Sequence, residues 1–330
     1  MCTAISENKN GHLFGRTLDV ECSYGERAVI TPRNYKIELR HEKALGTGYA
    51  IIGIAHVSKE YPLYYDAINE KGLGVAALNF PFFSKYYPKT NGKTNITSFE
   101  LPLFILRKCS SVDEAIDLLK KTNITDDCFD SLLSVTPLHW LIADKKHAIT
   151  LESVDQGLKI YRNELGVLTN SPEFSYHLAN LANYMHLSNV QPKNTLCNEC
   201  LIVPYSRGMG SIGLPGDFSS ASRFVRGVFI KNHTLSPDGN MGEISRFFHI
   251  MEAVSQPLGC ALTDNSAPIS TRYTSCADVD NSIYYFTTYG CRRIQGIKMS
   301  DFDLNTDKLL EFSMDDNEDV SFLNKRKTES

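Results

Sequence analysis

No apolar run in this 330-residue chain is long enough to cross a bilayer. AIIGIA (50–55) and LPLFIL (101–106) are among the longest, against the ~20 residues that a spanning helix requires. The first twenty residues hold no basic segment followed by an apolar stretch. No secretory signal is read there, no membrane partner is expected, and a cytoplasmic location is. A basic stripe is also missing: 34 Lys and Arg stand against 38 Asp and Glu, for a net charge of −4, which excludes nucleic acid as the expected partner. The cysteines number nine, an odd count without framework spacing, and read as free thiols of a reducing compartment. The N-x-T triplets at Asn95, Asn123 and Asn232 are then chance matches.

The common catalytic signatures are missing as well. There is no H-E-x-x-H and no G-x-S-x-G. GMGSIG (208–213) fits G-x-G-x-x-G, but Pro215 follows too closely for a helix to begin there, so the segment reads as a glycine-rich loop. CNEC (197–200) has no second close pair to complete a zinc site, and no metal or organic cofactor is expected. His139, inside the apolar LHWLIAD, reads as a satisfied core group.

What the chain does contain is short strands in blocks. CTAIS (2–6) and HLFGRTLD (12–19) flank a turn in ENKNG, and strands follow at 28–32, 49–57, 62–68 and 74–80. Helices are predicted near 98–108 and 111–121. The second carries a Ser111/Glu114 capping box and apolar residues at Val112, Ala115, Ile116 and Leu119. Strands return at 138–144, 148–154, 158–162 and 166–170, then helices at 174–187, 219–231 and 241–255, then strands at 271–279, 282–289 and 293–299. Adjacent short strands favour antiparallel sheets over parallel crossovers, so the fold class is layered α+β. No linker divides the chain. One domain over 2–315 is expected, with a polar, frayed tail at 316–330.

Directly behind Met1 stands Cys2. If Met1 is removed, that one residue carries both a thiol and a free α-amine. An α-amine titrates near 7.7–8.0 and can act as a base, and a thiol near 8.5 is a competent nucleophile. A nucleophile and a base on one residue need no histidine.

MCTAI, FGRTLD (14–19), ALNFP (77–81), GVLTNSPEF (166–174) and GLPGDFSSASRF (213–224), in that order, resemble the choloylglycine hydrolase family of bile salt hydrolases and penicillin V acylases. The likeness runs from Met1 to about residue 305. It implies an N-terminal-nucleophile hydrolase fold, a four-layer αββα sandwich of two antiparallel sheets flanked by helices. It also implies the site. Cys2 resembles the nucleophile, Arg16 the cation near the thiol, and Asp19 the carboxylate that receives the freed amine. Asn79 and Asn170 resemble the groups that hold the oxyanion and orient the amine, and Arg223 the second arginine. The residue types suit these roles: guanidiniums stabilise a thiolate or a developing anion, and asparagine donates without titrating. Arg16 and Asp19 are three apart, so a regular strand aims them at opposite faces, and a bulge or strand end is needed to bring both to one site.

The implied reaction is two-step hydrolysis of an amide C–N bond through a thioester. Asn79 in ALNFP resembles the bile salt hydrolase branch, although Ala77 stands where that branch has glycine. Glycine- or taurine-conjugated bile salts are the expected substrates, with Leu18 and Tyr24 as candidate pocket walls and Arg207 in YSRGMG (205–210) as a candidate partner for a taurine sulfonate. The alternatives left open are a penicillin V or other aromatic-acyl amidase and a non-catalytic bile-acid-binding homologue. The resemblance also implies a homo-oligomer, a tetramer.

Overall fold

Two strands open the chain, β1 (Cys2–Glu7) and β2 (Leu13–Val20), joined by a turn in which Gly11 takes a φ of +97° that disfavours other residues. In register, Cys2 lies opposite Leu18 and Ala4 opposite Arg16. The computed structural model describes residues 1–325 apart from 132 and 237–239. β1 and β2 are the centre of an antiparallel sheet whose order is Val167–Leu168, β1, β2, Pro268–Asp278, Ile283–Thr288 and Gln295–Lys298, with Ala261–Leu262 beside Pro268–Asp278. A second antiparallel sheet of eight strands runs Gly157–Arg162, Ala148–Val154, Leu138–Ala143, Gly74–Asn79, Tyr61–Asn69, Ile51–Ser58, Glu26–Thr31 and Leu310–Ser313.

The sheets stack face to face, and helices cover their outer faces. Ser220–His233 and Asn240–Glu252 lie against the β1/β2 sheet, and Leu101–Lys108 lies against the eight-stranded sheet. This is the four-layer αββα arrangement expected of the chain. One apolar cluster fills the space between the sheets and under the first helix pair, with Ala4, Phe14, Ile52, Leu78, Phe224 and Phe247 fully or almost fully buried. A second lies on the outer face of the eight-stranded sheet and holds Val75, Ile105, Val112 and Trp140. Because both faces of β1 are covered, all six of its residues are buried, polar ones included. Their polar groups must therefore find partners inside the protein.

Gly15 permits one close approach that matters for the site. A Cβ there would lie 2.1 Å from the carbonyl oxygen of Ser275, so only glycine lets Pro268–Asp278 pack against β2. Several elements differ from the sequence reading. The first helix starts at Leu101 and not at 98, because the Glu100 carboxylate turns back to accept from the Thr97 amide (2.9 Å) and Pro102 suits a first turn. The 174–187 helix is α-helical only over Phe174–Asn180 and tightens into a 3₁₀ turn at Leu181–Tyr184. Thr94–Thr97 and Thr122–Thr125 form a small parallel pair that the pattern did not reveal, four residues being too short for a period to show. Of the expected tail, Asp316 accepts from the Gly290 amide (2.8 Å), and residues 326–330 lie outside the described residues.

Candidate active site

The site forms around the first residues of β1. Strand alternation sends Cys2 and Ala4, with their cross-strand partners Leu18 and Arg16, towards the eight-stranded sheet. It sends Thr3, Thr17 and Asp19 to the helix side. The hydrogen bonds follow this division. The Arg16 guanidinium donates to the carbonyls of Tyr65 (2.9 Å) and Ala77 on the facing sheet, and its Nε to that of Thr17 (3.1 Å). The Asp19 carboxylate instead accepts from Thr271 Oγ1 (2.7 Å), Gln256 Nε2 (3.2 Å) and Thr17 Oγ1 (3.3 Å). Arg16 and Asp19 therefore do occupy opposite faces, and the site straddles the end of the sheet. The register of β2 with β1 is unbroken over Leu13–Leu18, so no bulge there brings the two side chains to one face; a slip lies on the neighbouring strand, between Thr271 and Tyr273.

Arg223 joins the two sides. It lies in the first turn of Ser220–His233, whose start is capped by Ser219, and is fully buried. Its Nη1 donates to the carbonyl of Cys2 and to Thr3 Oγ1 (2.8 Å), its Nη2 to Asn170 Oδ1 (2.7 Å), and its Nε to the Phe218 carbonyl (2.9 Å). A planar fork with fixed donor directions can satisfy all four at once, and a lysine cannot. Asn170, just beyond Val167–Leu168, also accepts from the Cys2 backbone nitrogen (2.8 Å) and donates from Nδ2 to the Asn79 carbonyl (2.7 Å). Its backbone nitrogen is fixed by Ser220 Oγ (2.9 Å) and its carbonyl by His177 Nε2 (2.9 Å).

Of the six residues expected at the site, Cys2, Arg16, Asp19, Asn170 and Arg223 are buried, while Asn79 ends its strand with an exposed side chain. Met1 is in place: its ammonium donates to the Asp19 carbonyl (2.6 Å), and the Asp19 amide donates back to Met1 O (2.9 Å). Burial disfavours the Arg16 cation, but the neighbouring Cys2, Tyr273, Asp66 and Asp19 outweigh it and raise its pKa. At Arg223 burial prevails over the attraction of Asp19 and Cys2, and its pKa falls. Leu18 is a core residue beside Cys2. Tyr24 is exposed, its hydroxyl donating to Glu21 (3.2 Å). Arg207 lies on an exposed loop, and GMGSIG contains only a 3₁₀ turn at Met209–Ser211. His139 is the satisfied core group expected, with Nδ1 on Glu152 (3.1 Å) and Nε2 on the Thr169 carbonyl (3.0 Å).

Sequence reasoning missed the supporting residues Thr3, Gln256 and Thr271, whose types carry no signal without the fold. It also missed the exposed Phe82 and Phe83, which directly follow Pro81 and so sit close to Asn79. A cavity of about 490 Å³ lies elsewhere, at the far end of β1, lined by Glu7, Lys9, His147, Arg162 and Lys231, and its polar walls do not suit a steroid.

The chain is similar to known proteins over nearly its whole length. The family model of linear amide C–N hydrolases, choloylglycine hydrolase family, matches residues 2–312. A bile salt hydrolase/transferase from Lactiplantibacillus plantarum is 45% identical over 315 residues, covering 95% of this chain and 97% of the relative. A conjugated bile acid hydrolase from Lactobacillus gasseri is 35% identical, covering 94% and 100%. Among solved structures, a variant of the conjugated bile acid hydrolase from Clostridium perfringens superposes with a TM-score of 0.91 at 34% identity, covering 98% of this chain and 100% of that one. A penicillin V acylase from Agrobacterium tumefaciens shares the fold, with a TM-score of 0.74 at 22% identity over 95% and 91% of the two chains.

Proposed function

The chain belongs to the choloylglycine hydrolase family and is a linear-amide C–N hydrolase, and from that premise we propose that it cleaves glycine- or taurine-conjugated bile salts with Cys2 as nucleophile. The observation that carries the reading is the set of bonds closing on one residue. The Cys2 nitrogen is held by Asn170, its carbonyl by Arg223, and its thiol shares a face with Arg16. With Met1 removed, the Cys2 amine replaces the amide at Asn170 and takes the thiol proton, directly or through a water. The thiolate attacks the amide carbonyl, and the oxyanion is stabilised by the Asn79 and Asn170 amides. The C–N bond breaks, the amine leaves with a proton, and water then cleaves the thioester to free the acid and the thiol. Asp19, held by Thr271 and Gln256, supplies the negative charge that keeps the amine end in place.

The steroid body would lie over the exposed apolar side chains of Tyr24, Phe82 and Phe83 at the mouth of the site, with Leu18 forming part of its floor. Arg207 would meet the anionic end of the leaving amine. Release of taurine from taurocholate and of glycine from glycocholate, set against cleavage of penicillin V, tests the reading. Dominant penicillin cleavage makes the protein an aromatic-acyl amidase with the same nucleophile. No release, with Met1 retained in the intact mass, makes it a binder.

The same reading makes this a bacterial, cytoplasmic enzyme that assembles as a homotetramer. Among the described residues no helix is long and apolar enough to cross a membrane. Support for assembly comes from residues 185–205, where Met185, Leu196, Leu201 and Tyr205 are each at least 84% exposed and available to a neighbouring subunit. Light scattering that gives a monomer mass would remove the assembly.

A further inference from the structure

Behind Arg16, one layer deeper, lies an acid that the proposed mechanism does not use. Asp66, on Tyr61–Asn69 of the facing sheet, has no exposed surface. Tyr273 donates its hydroxyl to Oδ1 (2.6 Å), while Ser275 (2.8 Å) and Tyr284 donate to Oδ2. Ser275 Oγ accepts from the Arg16 amide (3.0 Å) and has its proton to give to Asp66. Both tyrosines stay protonated: burial and the adjacent Asp66 push their hydroxyls well above the ordinary tyrosine range. Three hydroxyls aimed at one carboxyl mark an acceptor, which is the ionised form. Burial outweighs Arg16 and the three hydroxyls, so the Asp66 carboxyl is raised above its ordinary range.

Among the described residues no carboxylate is bonded to the Arg16 guanidinium, whose partners are the backbone carbonyls of Thr17, Tyr65 and Ala77. Two links tie it to Asp66: its own amide through Ser275, and its Nη1 through the carbonyl of Tyr65, the residue before Asp66. Neutral bonds hold the cation in position but do not balance its charge, and a buried charge needs balance.

We infer that Asp66 is a positioning residue for the acyl-transfer reaction: it is the buried counter-charge of Arg16, and through Arg16 it sets how readily the Cys2 thiol ionises. The inference rests on Cys2 being the nucleophile. The charged and titratable groups around Cys2 and Arg16 are the Cys2 α-amine, Asp19 on β2, Tyr65 and Asp66 on the facing sheet, Tyr273 on Pro268–Asp278 and Arg223 on its helix. Arg16 and Arg223 balance Asp19 and Asp66 among the buried side chains before the thiol ionises, and the Cys2 α-amine contributes equally in wild type and variants. Removal of Asp66 leaves one uncompensated cation beside the thiol, which favours the thiolate.

The test is the pH dependence of iodoacetamide alkylation at Cys2, read by mass on the N-terminal peptide, in wild type, Asp66→Asn and Tyr284→Phe, with thermal unfolding of each. Asp66→Asn keeps the shape and removes the charge. Its alkylation profile is expected to move to lower pH by about one unit. This is the scale of a unit charge acting across ~10 Å between sheets at an effective dielectric of about 20 or somewhat above. The acidic limb of the kcat/KM profile is expected to move with it. Tyr284→Phe removes one donor, makes the carboxyl easier to protonate, and is expected to shift both profiles the same way by less; it carries the test if Asp66→Asn does not fold. A folded variant whose profile is unchanged or moves to higher pH overturns the inference, since a purely structural role alters only the melting temperature. Wild-type Cys2 that resists alkylation at every pH overturns the nucleophile assignment itself, and this inference with it.

Discussion

Asn170 bears more of the site than any other uncharged side chain, so its removal is the sharpest test of the geometry. Asn170→Ala deletes three bonds at once: Oδ1 to the Cys2 nitrogen (2.8 Å), Oδ1 to Arg223 Nη2 (2.7 Å) and Nδ2 to the Asn79 carbonyl (2.7 Å). A bond to a charged group contributes about 1.5–3 kcal/mol, and each neutral one about 1. The sum is about 3–5 kcal/mol. Asn170 is 6% exposed, so water can replace part of it, and a net loss of about 2–4 kcal/mol follows. For a chain of this size that lowers the melting temperature by about 5 °C. Turnover is expected to fall further than stability suggests, by about 10²–10³-fold, because the acceptor that orients the amine base and an oxyanion donor are lost together. Asn170→Asp separates the two effects. It keeps the acceptor for Cys2 and gains an ion pair with Arg223, but it places a carboxylate oxygen against the Asn79 carbonyl. This variant should melt near wild type and still turn over poorly. The assay is amine release from taurocholate beside differential scanning calorimetry. Wild-type turnover in a folded Asn170→Ala enzyme would refute the reasoning.

Cys2→Ser replaces a thiol with a far weaker acid and should lose at least ~10³-fold in kcat with little change in melting temperature; an active serine variant would remove the thioester step. Arg207→Ala should lower activity on taurocholate several-fold more than on glycocholate, and an unchanged ratio would separate that loop from the leaving amine. His12 and His177 are buried and their pKa values lie at about 4, mainly through desolvation. The unfolded chain takes up their protons near 6.5, so the contribution to stability is complete above that pH and is lost as pH falls towards 4. The size is on the order of 3 kcal/mol for each at the acid end. Denaturant midpoints at pH 7 and 4.5 measure it, and equal midpoints in His177→Gln and wild type would show that His177 contributes nothing to the slope.

The layered α+β class was legible in the sequence because period-2 strands and capped amphipathic helices are local properties. Ser111 and Glu114 announced a helix that exists as Val112–Leu119. The Cys2 reading drew on chain position and the acid–base chemistry of one residue, and rested on the motifs that accompany it. The candidate site was legible as a set of motifs, since Arg16, Asp19, Asn79, Asn170 and Arg223 are scattered over more than two hundred residues and no spacing rule joins them. Tertiary structure decided how they meet. It placed Arg16 and Asp19 on opposite faces of β2 and let the site straddle the sheet, with the slip in register opposite Leu18 and Asp19. It turned Asn170 into a three-way junction and put Asp66 behind Arg16, although no local pattern distinguishes Asp66 from a surface acid. A sequence records which groups are available and which way each points along its own strand. Burial and the pairing of distant strands settle which charges lie close enough, in low enough dielectric, to act on one another.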